Sequence, residues 1–218
     1  MIGNLAREFT RLGRLLAAGN PLDLPAVERR HGTWHHADIE WLVPKVANIA
    51  GDFAEIGVFR GAAFRKVAEL ASTQNKHAHA FDSFAGMDEP TAADGSAYPK
   101  GKFDIGGPAE FERLMHKAGV ARERYTMWAG YVPACFNTVP PGLRFSFVIL
   151  DVDHYQPTVD ALQWLVPRIN TGGILALDDY VAGGQNLASK AIGEFLAGDK
   201  LFRRIASFNQ QLILRKIR

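Results

Sequence analysis

The segment FSFVIL at 145–150 is almost continuously apolar and stops abruptly at Asp151. A strand wetted on one face alternates polar and apolar residues. A run like this one belongs to a strand covered on both faces, and that requires helices above and below a mostly parallel sheet. A second run of the same kind, ILAL at 174–177, follows a turn at Gly172 and Gly173 and ends at Asp178 and Asp179. Two such strands place the chain in the α/β class.

The rest of the sequence supplies matching units from Gly51 onward. Phe53, Ala54 and Ile56 form a strand that ends in a glycine turn, followed by a helix over 62–71. A short strand at 79–81 ends at Asp82. The stretch 86–107 is rich in Gly, Pro, Asp and Ala and lacks periodicity, which marks a functional or mobile loop. A helix over 109–118, a strand at 125–128 and a helix over 156–166 with an early Pro157 come next, and then a helix over 187–196. The strands at 202–205 and 211–214 are joined through Ser207, Phe208 and Asn209, short enough for an antiparallel hairpin. The prediction is a doubly wound, mostly parallel seven-stranded sheet, Rossmann-like, over 49–218. Residues 1–48 form a helical extension. Its first helix, with Ile2, Leu5, Phe9, Leu12 and Leu16 at helical spacing, ends at Gly19-Asn20-Pro21, and a second, from His35 towards Val46, is interrupted by Pro44.

Composition narrows the class further. A formal net charge of +2 over 218 residues offers no concentrated basic face for nucleic acid. No apolar run approaches the roughly 20 residues that span a bilayer. Arg7, Arg11 and Arg14 interrupt the apolar positions of the first helix, unlike a secretion signal. Its stripe fits packing on its own domain or on a second subunit, pointing to a homodimer, better than a membrane surface. Cys135 is the single cysteine, so neither an intrachain disulfide nor a thiolate zinc site can form. A cytoplasmic location is the default expectation.

In doubly wound sheets, ligands bind at the carboxyl ends of the strands. Glu55, Gly57 and Gly61 lie at the first such end, in a G-x-x-x-G turn with Phe59 and Arg60 inside it. Phe59 stands where the dinucleotide fingerprint has its central glycine. This turn is the expected cofactor loop, and a tight structural turn is its plain alternative. Asp82, ending the second strand, is placed to accept ribose hydroxyls, or else to cap a loop. Asp151, Asp178 and Asp179 should converge at the same end. Clustered carboxylates repel unless protonated or bridged by a cation, and hard oxygen ligands suit Mg²⁺, Mn²⁺ or Ca²⁺. Asp153 and His154 follow at once, and either could take a proton from a substrate hydroxyl. His35 and His36 are weaker candidates at the pocket edge.

Four segments, EIGVFRG (55–61), FDSFAGM (81–87), DVDHY (151–155) and GGILALDDY (172–180), resemble the macrocin O-methyltransferase family in order and spacing across roughly 50–196. That family uses S-adenosylmethionine and a divalent metal to methylate sugar hydroxyls of natural products. The resemblance implies that Glu55 and Gly57 contact the methionine side of the cofactor, Asp82 and Ser83 clamp its ribose, and Gly130 lies at its adenine side. It also implies that Asp151, Asp178 and Asp179 hold the metal and that Asp153 is the base. His154 stands where relatives carry leucine. The implied partner is a small-molecule acceptor bearing a hydroxyl, on a sugar or another polyhydroxylated metabolite. The rivals are a nicotinamide dehydrogenase, a metal-independent or N-directed methyltransferase, and a non-catalytic cofactor-binding protein.

Overall fold

The computed structural model describes residues 36–218 apart from 186 and 209. The expected first helix, His35 and the dimer contact drawn from that helix lie outside these residues. The chain enters through helix α1 (His36–Leu42) and a 3₁₀ turn (Val43–Val46) that carries Pro44 in its first turn, which accounts for the expected interruption. Then follow β1 (Asp52–Ile56), α2 (Phe64–Thr73), β2 (Ala78–Asp82), α3 (Pro108–Lys117) and β3 (Tyr125–Ala129). The second half runs β4 (Phe145–Leu150), α4 (Tyr155–Leu165), β5 (Ile169–Leu177), α5 (Leu187–Gly198), β6 (Phe202–Phe208) and β7 (Gln211–Lys216). Among the described residues no helix is long and apolar enough to cross a membrane.

One seven-stranded sheet has the order β3-β2-β1-β4-β5-β7-β6. Every neighbouring pair from β3 to β5 is parallel, and β7 runs antiparallel to both β5 and β6. The two faces are covered as the apolar runs demand. Phe53, Phe147, Ile149 and Ile174 pack beneath α1, α2 and α3, where α2 contributes Phe64, Val67, Ala68 and Ala71 at helical spacing. Ala54, Ile56, Val148, Leu150 and Leu175 pack against Ala161, Leu162 and Leu165 of α4 and Ala188 and Ile192 of α5. At the amino edge, the Lys76 ammonium donates to the Val46 and Ile49 carbonyls and to Ser146 Oγ at 3.0, 2.6 and 2.8 Å, satisfying acceptors that no strand reaches.

Two local expectations are corrected. Gly172 and Gly173 do not form a turn ahead of β5 but lie within it, at a shift of register against Phe145 and Phe147. Gly172 has φ +87°, and a Cβ there would meet Ile49 Cδ1 at 2.7 Å, so the glycine pair serves a bulge that needs close approach. Ser207 and Phe208 are not part of the hairpin connection, because they pair with Leu212 and Gln211 as the end of β6.

Register positions the site. Ile56 pairs with both Phe81 and Leu150, Leu150 pairs with Leu177, and Phe81 pairs with Trp128. These residues therefore form one row, and the residues after it leave the sheet together. Gly57, Asp82, Asp151 and Asp178 are that next row. It straddles the boundary between β1 and β4, where the strand order reverses and doubly wound sheets bind their ligands.

Candidate active site at the carboxyl edge of the sheet

A cleft of about 700 Å³ opens over this row. Of the expected site residues, Glu55, Gly57, Phe59, Asp82, Ser83, Gly130, Asp151, Asp153, His154, Asp178 and Asp179 all line it. Arg60 and Gly61 do not. Arg60 is exposed beside the Phe59 ring, and Gly61 faces α3, where a Cβ would lie 2.2 Å from Met115 Cε.

The turn after β1 is built by close approach. Gly57 has φ +86°, and a Cβ on it would sit 1.7 Å from the Asp151 carbonyl oxygen. Its N–H donates to the Phe81 carbonyl while Asp151 N–H donates to Ile56, knitting three strand ends together. Asp82 Oδ2 accepts from the Val58 and Phe59 N–H groups, both at 2.9 Å, and its Oδ1 accepts from Phe84 N–H at 2.7 Å. Asp82 thus builds the cofactor-type loop as well as facing the cleft. Burial pushes its pKa up, and these three N–H donors counter that only in part. Ser83 closes a turn, donating to the Gly86 carbonyl and accepting from Ala85 N–H.

Glu55 is 3 % exposed, and its Oε2 has no hydrogen-bond partner among the described residues. Burial, then Asp82, then Asp178 hold its pKa well above the ordinary carboxylate range. A buried carboxyl with an idle oxygen is matched to a cationic group arriving from the cleft.

The acids after β4 and β5 do converge. Oxygens of Asp151, Asp153 and Asp179 lie within 4.8 Å of one another, and Asp178 lies close enough to Asp151 for each charge to oppose the other. Asp153 thus lies among the expected acids Asp151, Asp178 and Asp179. Burial and mutual repulsion raise the pKa of each, to about 6 for Asp178 and about 7 for Asp179, and Asp179 Oδ2 has no hydrogen-bond partner among the described residues. Asp153 and Asp179 both adopt φ +56°, the left-handed region that aspartate tolerates better than most residues. The donors are all hard oxygens, two carry strained backbone, and one is idle. This set fits a divalent cation such as Mg²⁺.

His154 is 2 % exposed, and its Nε2 meets the Tyr98 carbonyl at 3.0 Å, so one ring nitrogen is spent on the 83–107 loop. That loop carries what sequence reasoning missed. Tyr98, Lys102 and Phe103 line the cleft. Phe59 and Phe103 meet edge to face at 5.4 Å at the mouth. Asp94, 3 % exposed, accepts from Thr91 and from Tyr155 N–H at the start of α4. Burial raises its pKa, but these bonds outweigh it and keep the carboxyl ionised. An aperiodic loop gives no pattern from which such roles can be read.

A sheet of this order with acids and a glycine turn at its switch point defines the class I methyltransferase fold. Residues 36–213 match the family described as Macrocin-O-methyltransferase (TylF), and the chain belongs to that family. It is similar to 8-demethyl-8-(2,3-dimethoxy-alpha-L-rhamnosyl)-tetracenomycin-C 4'-O-methyltransferase of Streptomyces olivaceus, with 30 % identity over 141 residues. That match covers 61 % of this chain and 54 % of the relative, so the chain spans little more than half the relative's length. Two solved structures share the fold. The O-methyltransferase NovP has a TM-score of 0.70 at 22 % identity, covering 84 % of this chain and 79 % of that one. CalS11, a calicheamicin methyltransferase, has a TM-score of 0.69 at 21 % identity, covering 96 % and 91 %.

Proposed function

We propose that the protein is an S-adenosylmethionine-dependent, divalent-metal-assisted O-methyltransferase acting on a hydroxyl of a sugar or other polyhydroxylated small molecule, in natural-product or glycan modification. The observation that carries this reading is the charge of the cleft. Glu55, Asp82, Asp151, Asp153, Asp178 and Asp179 surround it, and among the described lining residues Lys102 is the only lysine or arginine. Such a site is built to be completed by cations, and the proposed pair of ligands supplies them at both ends.

Glu55 receives the amino group of the cofactor's methionine part, while Gly57 lets the backbone come close to it. The one lone-pair position that Asp82 retains, on Oδ1, is available to a ribose hydroxyl. Asp151, Asp178 and Asp179 hold the cation. When bound, the cation lowers the pKa of a coordinated hydroxyl and S-adenosylmethionine offers an electrophilic methyl group. Asp153 takes the proton that the acceptor oxygen releases. Phe59, Tyr98 and Phe103 present ring faces and edges suited to the C–H surface of a sugar, and the related tetracenomycin enzyme is named for methylation on a rhamnosyl group.

Calorimetry with S-adenosylhomocysteine, with NAD as control, tests the cofactor. Binding of NAD in place of S-adenosylhomocysteine would return the reading to a dehydrogenase. Formation of S-adenosylhomocysteine from a rhamnosyl glycoside, titrated with Mg²⁺, tests the rest. Full activity in chelator would remove the metal.

A further inference from the structure

We propose that Phe59 and Phe103 are specificity-determining residues that grip the part of the acceptor lying beyond its sugar, and that this part is an uncharged aromatic ring. The inference rests on the reading above, in which the acids at the carboxyl edge receive a sugar hydroxyl. Both phenylalanines line the cleft, and both are exposed, Phe59 by 42 % and Phe103 by 39 %. Both also stand on left-handed backbone, at φ +46° and φ +67°. That region is an outlier for a bulky side chain, and it persists only where the surroundings enforce it. Phe84 shows how such a cost is met within the fold. It has φ +56°, but its ring is fully buried and packs on Phe111 with centroids 5.0 Å apart. Phe59 and Phe103 carry the same kind of strain and leave their rings in water, so the compensation has to come from a ligand that covers them.

The main chain holds both rings in place before any ligand arrives. Phe59 N–H donates to Asp82 Oδ2 at 2.9 Å. On one side of Phe103, Met87 N–H donates to the Lys102 carbonyl at 2.8 Å, and on the other Asp104 forms an antiparallel bridge with Ala85. A pair fixed in this way loses little freedom when a third ring settles on it.

The order of the rings places the occupant. His154 follows the acids in the chain, and Tyr98 packs against it with centroids 6.2 Å apart. Phe103 lies 5.9 Å from Tyr98, and Phe59 lies 5.4 Å from Phe103. Exposure grows along this row, from buried His154 through half-buried Tyr98 to the two phenylalanines. A sugar with a hydroxyl at the acids reaches Tyr98, and Phe103 and Phe59 are left for whatever the sugar is joined to. Charge decides what that is. Lys102 is the only lysine or arginine among the described lining residues, and it is spent on the rings, with its ammonium 4.2 Å from the Tyr98 centroid and 5.0 Å from that of Phe103. Asp88 and Glu89 add further acids to the lining. A diphosphate between sugar and ring would meet these carboxylates without a free cation, whereas a neutral aryl group meets only the phenylalanines.

Calorimetry on the full chain saturated with S-adenosylhomocysteine tests the grip, with 4-nitrophenyl α-L-rhamnopyranoside and methyl α-L-rhamnopyranoside as probes. The wild type should bind the aryl glycoside about tenfold more tightly than the methyl glycoside, the scale of one ring-on-ring contact. Phe103→Gly removes the ring and suits the left-handed backbone, so it should bring that ratio towards unity while Tm stays near the wild-type value. Phe59→Gly should lower the ratio as well, and Phe103→Tyr should keep it. Thymidine diphosphate rhamnose should bind less tightly than the aryl glycoside. A wild type that binds S-adenosylhomocysteine but prefers neither rhamnoside, or binds neither, overturns this inference alone. So does a Phe103→Gly protein that keeps the wild-type ratio, or a sugar nucleotide that binds more tightly than the aryl glycoside. A chain that binds no S-adenosylhomocysteine overturns the methyltransferase reading with it.

Discussion

Replacing Asp178 with asparagine should make the metal-free protein more stable. Asp178 is 5 % exposed and its pKa is pushed up to about 6 from the ordinary aspartate value of 3.8, because burial and then Asp179 oppose its charge. A carboxyl whose folded pKa is raised favours folding only while it is protonated. The folded state loses that advantage as pH climbs from about 4 through 6, and the loss is complete by pH 8. A displacement of roughly two units corresponds to about 3 kcal/mol. Asparagine has the shape of the neutral form and places no charge against Asp151 and Asp179. In a domain of this size 3 kcal/mol raises Tm by roughly 6 to 12 °C. Differential scanning fluorimetry in chelator should show that gain at pH 8, shrinking below about 1 kcal/mol at pH 4. Excess Mg²⁺ should stabilise the wild type, by about 2.7 kcal/mol at a hundred times Kd, and do little for the variant. The variant should also lose turnover while keeping its affinity for S-adenosylhomocysteine. An Asp178→Asn protein with equal or lower Tm at pH 8, still binding S-adenosylhomocysteine, would refute the claim that the acids are held against their own repulsion.

Gly57→Ala should abolish S-adenosylhomocysteine binding in calorimetry and lower Tm, since the methyl must displace the Asp151 carbonyl from 1.7 Å and accept φ +86°. Lys76→Met should cost about 2 to 3 kcal/mol in urea unfolding, because the Val46 and Ile49 carbonyls lose their ammonium donor. Its S-adenosylhomocysteine affinity should be untouched, as Lys76 sits at the edge of the sheet opposite the cleft.

What the sequence disclosed depended on whether a residue's reason for being there was periodic. FSFVIL and ILAL announced central strands because burial on both faces leaves no alternation to confuse with anything else. Asp151, Asp178 and Asp179 were legible as a group because the strand-end rule places them without knowledge of any other contact. Gly57 and Gly61 look alike in the sequence, yet one admits the Asp151 carbonyl and the other admits Met115. Glycine signals that space is short, not what fills it. Gly172 and Gly173 were open to the same confusion, since a turn and a bulge ask for the same residue. Tyr98, Lys102 and Asp94 were invisible for a different cause. Tyr98 and Asp94 have partners more than 50 positions away, in DVDHY, that no local pattern announces. Asp82 was visible as an acid at a strand end, but its service to the backbone of Val58 and Phe59 follows only from the fold.

The left-handed backbone at Asp153 and Asp179 narrows the mutational alphabet at both positions. Asparagine and glycine can occupy φ +56° with little penalty, whereas valine, isoleucine or threonine would be rejected by the main chain before any chemistry was affected. Loss of function in a random library at these two codons therefore mixes two causes, misfolding and missing carboxylate. Only the asparagine variants separate them. The same restriction means that drift away from acid at either site has an open path through asparagine, so a relative that had given up catalysis would be expected to carry asparagine or glycine there, with the sheet edge otherwise intact.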